Sequence, residues 1–231
     1  PPRSTLSSSS AASDVYKRQV QNNIGFNKVI SNDKFFLAAS THEGEEEIII
    51  DSYHKLLGDF PNLKLIIVPR NPERANSVME IFKNHKINAV IKSDLNLERE
   101  NSNAIIINTT GKLDSLYDFA EIAFIGGSLF KKYGGHNLIE AAKNKCAIIV
   151  GPYMKNFEDI LNLFKNENAC VQIESKSELT NAYKELLNNN ELRINMIDNA
   201  TEVVANNRGS SDKQFKYIND LINYEISNSN N

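Results

Sequence analysis

Between Phe124 and Glu140 the chain reads Phe-Ile-Gly-Gly-Ser-Leu-Phe-Lys-Lys-Tyr-Gly-Gly-His-Asn-Leu-Ile-Glu. Residues of these types at this spacing serve one kind of chemistry well, the holding of an anion. Gly126 and Gly127 let the backbone turn tightly and come close to a ligand, and Gly134 and Gly135 repeat that freedom before a predicted helix. The first turn of a helix carries unpaired N–H groups and the positive end of its dipole, so it favours a phosphate. Asn137 and Glu140 lie three residues apart on one helix face, and a carboxylate there can accept the hydroxyls of a ribose. His136, a structural type when alone, joins them on the same turn. The dinucleotide fingerprint G-x-G-x-x-G, the Walker A lysine motif and any Cys/His metal spacing are absent from the sequence. The segment therefore points to a nucleotide or nucleotide-sugar site.

Such a site needs elements to hold it. Apolar runs at Phe35–Ala39, Leu63–Val68, Ala89–Ile91, Ala104–Asn108, Ile122–Ile125, Ala147–Val150 and Ala169–Ile173 predict strands. Between them, helices are expected over Glu45–Leu57, from Pro72-Glu73 to His85, and over Leu113–Ala120, Asn137–Asn144 and Asn156–Lys165. Three more finish the chain, over Lys176–Leu187, Glu191–Ala205 and Ser211–Ile226. Strands alternating with helices imply an α/β fold, a Rossmann-like parallel sheet with flanking helices. Ligands in such sheets bind outside the carboxyl ends of the strands, so the residues after each strand carry the chemistry.

After the first strand come Ser40, Thr41 and His42. They are candidates either to line a cleft or, for Ser40 and Thr41, to cap the helix; the run Glu45–Glu47 reads as a solvated acidic face. After the second, Arg70 can make a bidentate contact to a phosphate, while Arg74 reads as structural. Thr109 or Thr110 can cap the helix after the fourth run, with Gly111 allowing close approach. Gly151-Pro152 is turn chemistry, and Asn156 is an expected N-cap.

Composition excludes several classes. The 231 residues carry a net charge of -3, with 41% hydrophobic and 24% charged residues, an ordinary globular balance with no electrostatic reason to bind nucleic acid. No apolar run reaches the ~20 residues that cross a bilayer, so the chain is expected to be soluble. Cys146 and Cys170 are far apart and read as reduced thiols, Cys146 buried. Residues 1–19 are Ser-rich, polar and without periodicity; they resemble translated adaptor sequence and stand outside the fold. Residues 20–33 read as a remnant of an inter-domain region, 34–226 as one nucleotide-sugar-binding domain and 227–231 as a frayed tail.

The strand-end motifs occur together in one known family. Ala39-Ser-Thr-His-Glu-Gly-Glu-Glu46, Pro69-Arg70-Asn71-Pro-Glu-Arg74, Phe124-Ile-Gly-Gly-Ser128, Gly134-Gly-His-Asn137 with Glu140, and Gly151-Pro152 with Asn156-Phe157 follow in the order seen in 3-deoxy-D-manno-octulosonic acid (Kdo) transferases. The resemblance covers about Gly25 to Ile222. It implies the C-terminal, donor-binding domain of a GT-B glycosyltransferase that moves Kdo from CMP-Kdo to the lipid A precursor in lipopolysaccharide synthesis. It further implies CMP contacts at Pro69, Arg70, Thr110, Gly111, Lys112, Asn137, Leu138, Ile139 and Glu140. The cleft beside the sugar would be shaped by Ser40, Thr41, His42, Gly126, Gly127, Ser128, Gly135, His136 and Asn156. Four positions depart from the family's usual residues: Asn71 for His, Asn108 for Asp, Lys112 for Glu and Leu138 for Pro.

By the same resemblance no metal or other cofactor is expected, helix dipoles and basic side chains stabilising the leaving phosphate instead. The catalytic carboxylate, the acceptor surface and any attachment to the cytoplasmic face of the inner membrane would belong to an N-terminal domain outside this chain. The chain alone is then expected to bind donor and not to transfer sugar. Two other readings stand beside this one. One is a GT-B protein or epimerase using a UDP-sugar; the other is a non-catalytic nucleotide-binding module.

Overall fold

The computed structural model describes residues 35–93, 102–111, 113–117 and 120–207. Residues 1–34, Lys112, the helix expected at 211–226 and the tail lie outside them. Seven strands are described: β1 (Phe35–Thr41), β2 (Lys64–Pro69), β3 (Ala89–Lys92), β4 (Ala104–Ile107), β5 (Ile122–Ile125), β6 (Ala147–Val150) and β7 (Val171–Gln172). They form one parallel sheet in the order β3-β4-β2-β1-β5-β6-β7. The helices are α1 (Glu45–Leu56), α2 (Ala75–Asn84), α3 (Leu113–Tyr117), α4 (Ile139–Lys143), α5 (Glu158–Asn166), α6 (Leu179–Asn188) and α7 (Asn190–Asn206). Single 3-10 turns, Pro72–Arg74, Lys155–Phe157 and Lys176–Glu178, lead into α2, α5 and α6.

The strands are apolar on both faces because both faces are covered. Phe36, Ala38, Leu65, Ile67, Phe124 and Ile149 point to one side, where they pack with Ile49, Tyr53, Val78, Phe82, Tyr183 and Leu186 of α1, α2 and α6. Phe35, Leu37, Ala39, Ile66, Ile125 and Ile148 point to the other, against Leu116, Ala141, Ala142, Leu161, Phe164 and Ala200 of α3, α4, α5 and α7. Phe36 is the centre of the first layer: its ring lies 4.2 Å from that of Tyr183 and 5.7 Å from that of Tyr53. Emptying that position with alanine costs about 3–5 kcal/mol, much of a domain's net stability.

Cys146 is buried, its thiol 3.1 Å from the carbonyl oxygens of Tyr117 and Ala120; Cys170 is a free, partly buried thiol. Two elements are shorter than their apolar runs. The expected strand Ala169–Ile173 pairs only at Val171 and Gln172, beside β6 at the sheet edge. The helix expected from Asn137 begins at Ile139.

The order of the strands decides where a ligand goes. From β1 the chain moves to β2 on one side, and β5 lies on β1's other side. That reversal opens a crevice at the carboxyl ends of β1 and β5, the place where open α/β sheets bind ligands.

Candidate functional site

β1 ends in a bulge. Ser40 has φ 56°, the ladder with β2 slips between Ala39 and Thr41, and the strand stops one residue later. The Gly126 N–H donates to the Ala39 carbonyl at 2.8 Å, so the exit of β5 is bound tightly to the exit of β1. A Cβ on Gly126 would lie 2.3 Å from the Ser40 carbonyl oxygen, so a side chain there would drive the two strand ends apart. Gly127 turns the chain with φ 69°.

The acidic run after β1 corrects the expectation of a solvated face. Glu45 and Glu46 are fully buried, and of the three only Glu47 is exposed. The Glu45 carboxylate accepts from the N–H groups of Gly127 at 2.7 Å, Leu129 at 2.9 Å and His42 at 2.9 Å. Burial raises its pKa, and these N–H groups act in the opposite direction. Glu46 accepts from the Thr41 hydroxyl at 3.2 Å and from the Arg74 guanidinium at 3.1 Å; burial raises its pKa against the pull of Arg74. The donors of the glycine turn are therefore taken by the chain's own carboxylate. The turn shapes the crevice rather than offering Gly127 and Leu129 N–H groups to a ligand. The helix-cap expectation also changes. α1 is entered through Gly44 at φ 87°, and neither Ser40 nor Thr41 caps it.

The loop from Phe130 to His136 folds back over this turn. The Gly135 N–H donates to the Gly127 carbonyl at 2.7 Å. Gly134 and Gly135 have φ 73° and 83°, and Cβ atoms there would meet the Asn156 amide at 2.7 Å and the Met154 sulfur at 2.3 Å. Asn156 is not an N-cap. It sits inside the 3-10 turn, donating its amide N–H to the Tyr133 carbonyl at 3.1 Å, while its backbone N–H meets the Gly134 carbonyl at 2.9 Å. The Ser128 hydroxyl is spent within the fold, donating to the Ile125 carbonyl at 2.5 Å and accepting from the Gly151 N–H at 2.8 Å.

This folding back brings His136 onto His42. Their Nε2 atoms are 2.7 Å apart, their rings lie 12° from parallel, and the ring of Tyr133 stacks on His42 at 4.0 Å. Burial first, then the cations Arg70, Arg74 and Lys132, lower the pKa of His42. Burial, His42 and Arg70 lower that of His136 to about 4. Both shifts favour the uncharged rings.

The expected nucleotide contacts follow the ends of β2 and β4 and enter α4. Pro69 closes β2 opposite Thr41, and the Arg70 N–H donates to the Thr41 carbonyl at 2.8 Å, which fixes its Cα while the side chain stays exposed. Glu140 stands half-buried in the first turn of α4; burial and then Asp114 raise its pKa, with Lys143 and Arg70 opposing. Asp114, in the first turn of α3, and Arg70 thus both act on Glu140, and Asp114 is marked by no motif in the sequence. Thr110 and Gly111 are exposed just before α3, Gly111 at φ 76° with open space around it. Thr109 does not cap α3, since its hydroxyl is buried without a partner, as is the Asn108 side-chain oxygen.

Asn137 accepts the Ile139 N–H on its side-chain oxygen at 3.0 Å, which starts α4 two residues later than expected. Leu138 and Ile139 bury their side chains and can offer a ligand only backbone. With five residues, α4 carries a weaker dipole than the longer helix expected there.

Among the described residues, no three His, Cys, Asp or Glu side chains gather as a metal site, and no helix is long and apolar enough to cross a membrane. No family model matches the chain. The 3-deoxy-D-manno-octulosonic acid transferase of Haemophilus influenzae is 38% identical over 176 residues, 76% of this chain and 41% of that protein. The one from Rickettsia prowazekii is 36% identical over 181 residues, 78% of this chain and 39% of that protein. By sequence the chain belongs with the Kdo transferases. It spans about two-fifths of the length of these relatives. In structure it is similar to the C-terminal CMP-Kdo binding domain of WaaA from Acinetobacter baumannii, at TM-score 0.71 and 25% identity, covering 82% of this chain and 98% of that domain. The parallel sheet is thus the C-terminal domain fold of GT-B glycosyltransferases. At the carboxyl ends of its strands this domain carries the clasped glycine turn, the histidine pair and Arg70, with Glu140 and Asp114 in the first turns of α4 and α3.

Proposed function

We propose that this chain is the donor-binding half of an inverting Kdo transferase and that its crevice holds CMP-Kdo. The observation that carries this reading is Arg70, fixed by its backbone bond to Thr41 at the carboxyl ends of the strands, in a chain similar to Kdo transferases. Arg70 presents a planar cation for the phosphate. Glu140 accepts hydroxyls of the ribose. Thr110, Gly111, Lys112 and the backbone of Asn137 to Ile139 border the cytidine, with Lys112 outside the described residues. Ser40, Thr41, His42, Gly126, Gly127, Ser128, Gly135, His136 and Asn156 give the sugar side its shape.

In the transfer reaction the bond between the Kdo anomeric carbon and the phosphate oxygen breaks, and CMP leaves with the electron pair. Positive charge preorganised around that phosphate lowers the barrier, because it meets negative charge as it develops. Arg70 is the group in this chain for that task, without a metal ion. The acceptor, a lipid A precursor, and the base that removes its proton belong in this reading to the part of the relatives that the chain does not span. Any association with the cytoplasmic face of the inner membrane belongs there as well.

Competition calorimetry tests the nucleotide class. CMP is expected to bind and UDP to displace it only at more than about tenfold higher concentration, the equivalent of about 1.4 kcal/mol. Equal or tighter binding of UDP would move the chain to the UDP-sugar reading.

A further inference from the structure

Two identical nitrogen atoms 2.7 Å apart set a strict rule on protons. The His42 Nε2 to His136 Nε2 contact is a hydrogen bond only when one nitrogen carries a proton and the other does not. A second proton would set two N–H groups head to head and open the contact. Without a ligand, the stacking of the two rings and the cover of Tyr133 on His42 hold the two nitrogens in this contact. Gly127, whose Cβ would come within 3.0 Å of His136 Cδ2, closes the space on the turn side.

The charges around the pair are unbalanced. From the end of β2 come Arg70 and Arg74, and from the loop after β5 comes Lys132. The acids of the loop after β1 are engaged elsewhere. Glu45 is turned to backbone N–H groups of His42 and the glycine turn. Glu46 is turned to Arg74 and Thr41, and the exposed Glu43 lies 3.9 Å from Arg74. Glu140 is acted on by Asp114 and Arg70, and neither acid is among the groups that act on the histidines. The histidines accordingly face cations with no carboxylate of their own, surroundings in which a phosphate would reverse the local field.

We propose that His42 and His136 form a proton-linked part of the donor site: the pair shares one proton by itself and takes up a second from solvent when a nucleotide phosphate binds beside Arg70. The Nε2–Nε2 bond then breaks, and each Nε2–H turns to the anion. This rests on the donor-binding reading above and adds to it a pH-dependent affinity. One proton taken up per ligand corresponds to a tenfold change in affinity per pH unit.

The test is calorimetry of the 231-residue chain with CMP at pH 7.5, in buffers of different ionisation enthalpy, together with NMR titration of the histidine Cε1–H signals with and without CMP. The expected result is uptake of about one proton per CMP, affinity weakening by up to about tenfold per unit between pH 7 and 8.5, and a rise of a histidine pKa on binding. His136→Asn is expected to lower the proton uptake to near zero and to weaken CMP, with an affinity that no longer changes between pH 7 and 8.5. CMP binding without proton uptake, or with unmoved histidine signals, overturns the proposal and leaves the donor-binding reading intact. Absence of CMP binding at any pH overturns both. If His136→Asn fails to fold, the titration of the unaltered chain decides alone.

Discussion

Replacing Glu45 isolates the clasp that shapes the crevice. Its carboxylate serves three backbone donors, with the Gly127 and Leu129 bonds buried and the His42 bond partly so. A buried donor that loses its acceptor costs about 1–3 kcal/mol. Glu45→Ala, which strands two buried donors and one partly buried one, is therefore expected to lose about 3–4 kcal/mol, a large share of a stability of about 5–15 kcal/mol. Glu45→Gln is milder. Its amide oxygen can take the Oε2 position and keep Gly127 and His42, with its NH2 group set against the Leu129 N–H, which loses its acceptor. Because burial raises the pKa of Glu45, loss of the charge itself adds little. The expected deficit is about 1–1.5 kcal/mol. Urea unfolding followed by circular dichroism measures both variants against the parent, with unchanged m-values as the sign of an unchanged denatured state. Equal losses for Gln and Ala, or losses below about 0.5 kcal/mol for both, would refute the clasp.

Three further outcomes follow from the same geometry. Arg70→Ala is expected to weaken CMP about 10- to 100-fold by calorimetry, with Lys recovering part of the loss, since a charge-assisted bond is worth about 1.5–3 kcal/mol. Gly126→Ala sets a methyl group against the Ser40 backbone and is expected to cost at least about 3 kcal/mol, whereas Gly111→Ala, with open space but φ 76°, costs about 1 kcal/mol of backbone strain; thermal melts compare them. His136 has its pKa lowered to about 4, so its stabilising contribution is whole above pH 6.5 and fades as pH falls toward 4. Allowing for its exposure, the loss is about 1–2 kcal/mol, and unfolding of His136→Asn across that range should lack it. The buried Glu45 and Glu46 run the other way: their raised pKa values give a contribution that is whole in acid and fades as pH rises through them.

The central strands were legible because their apolar runs are buried on both faces, and α1, α2 and α6 because their apolar spacing repeats with the helical turn. Strand ends then marked Arg70, the glycine turn and Glu140. The clasp was hidden because a run of three glutamates reads as solvent-facing, and the donors that bury Glu45 lie 82 and 84 residues away. The histidine pair joins residues 94 apart, which no local pattern encodes. The late start of α4 came from the Asn137 side chain satisfying the Ile139 N–H, an Asx turn that competes with one more turn of helix. Asp114 had no motif around it. The signal that could have found it was its place in the first turn of the helix after a strand end.

The central claim is that the glycine turn is closed by Glu45 and that the nucleotide lies on the Arg70 and Glu140 side. A CMP titration of the nitrogen-15-labelled chain, read at each backbone amide, tests it directly. The account predicts shifts at Arg70, Thr110, Gly111 and Asn137 to Glu140, with the amides of Gly127 and Leu129 still held by Glu45 and nearly unmoved. Large shifts at Gly127 and Leu129, with Arg70 and Glu140 silent, would contradict it.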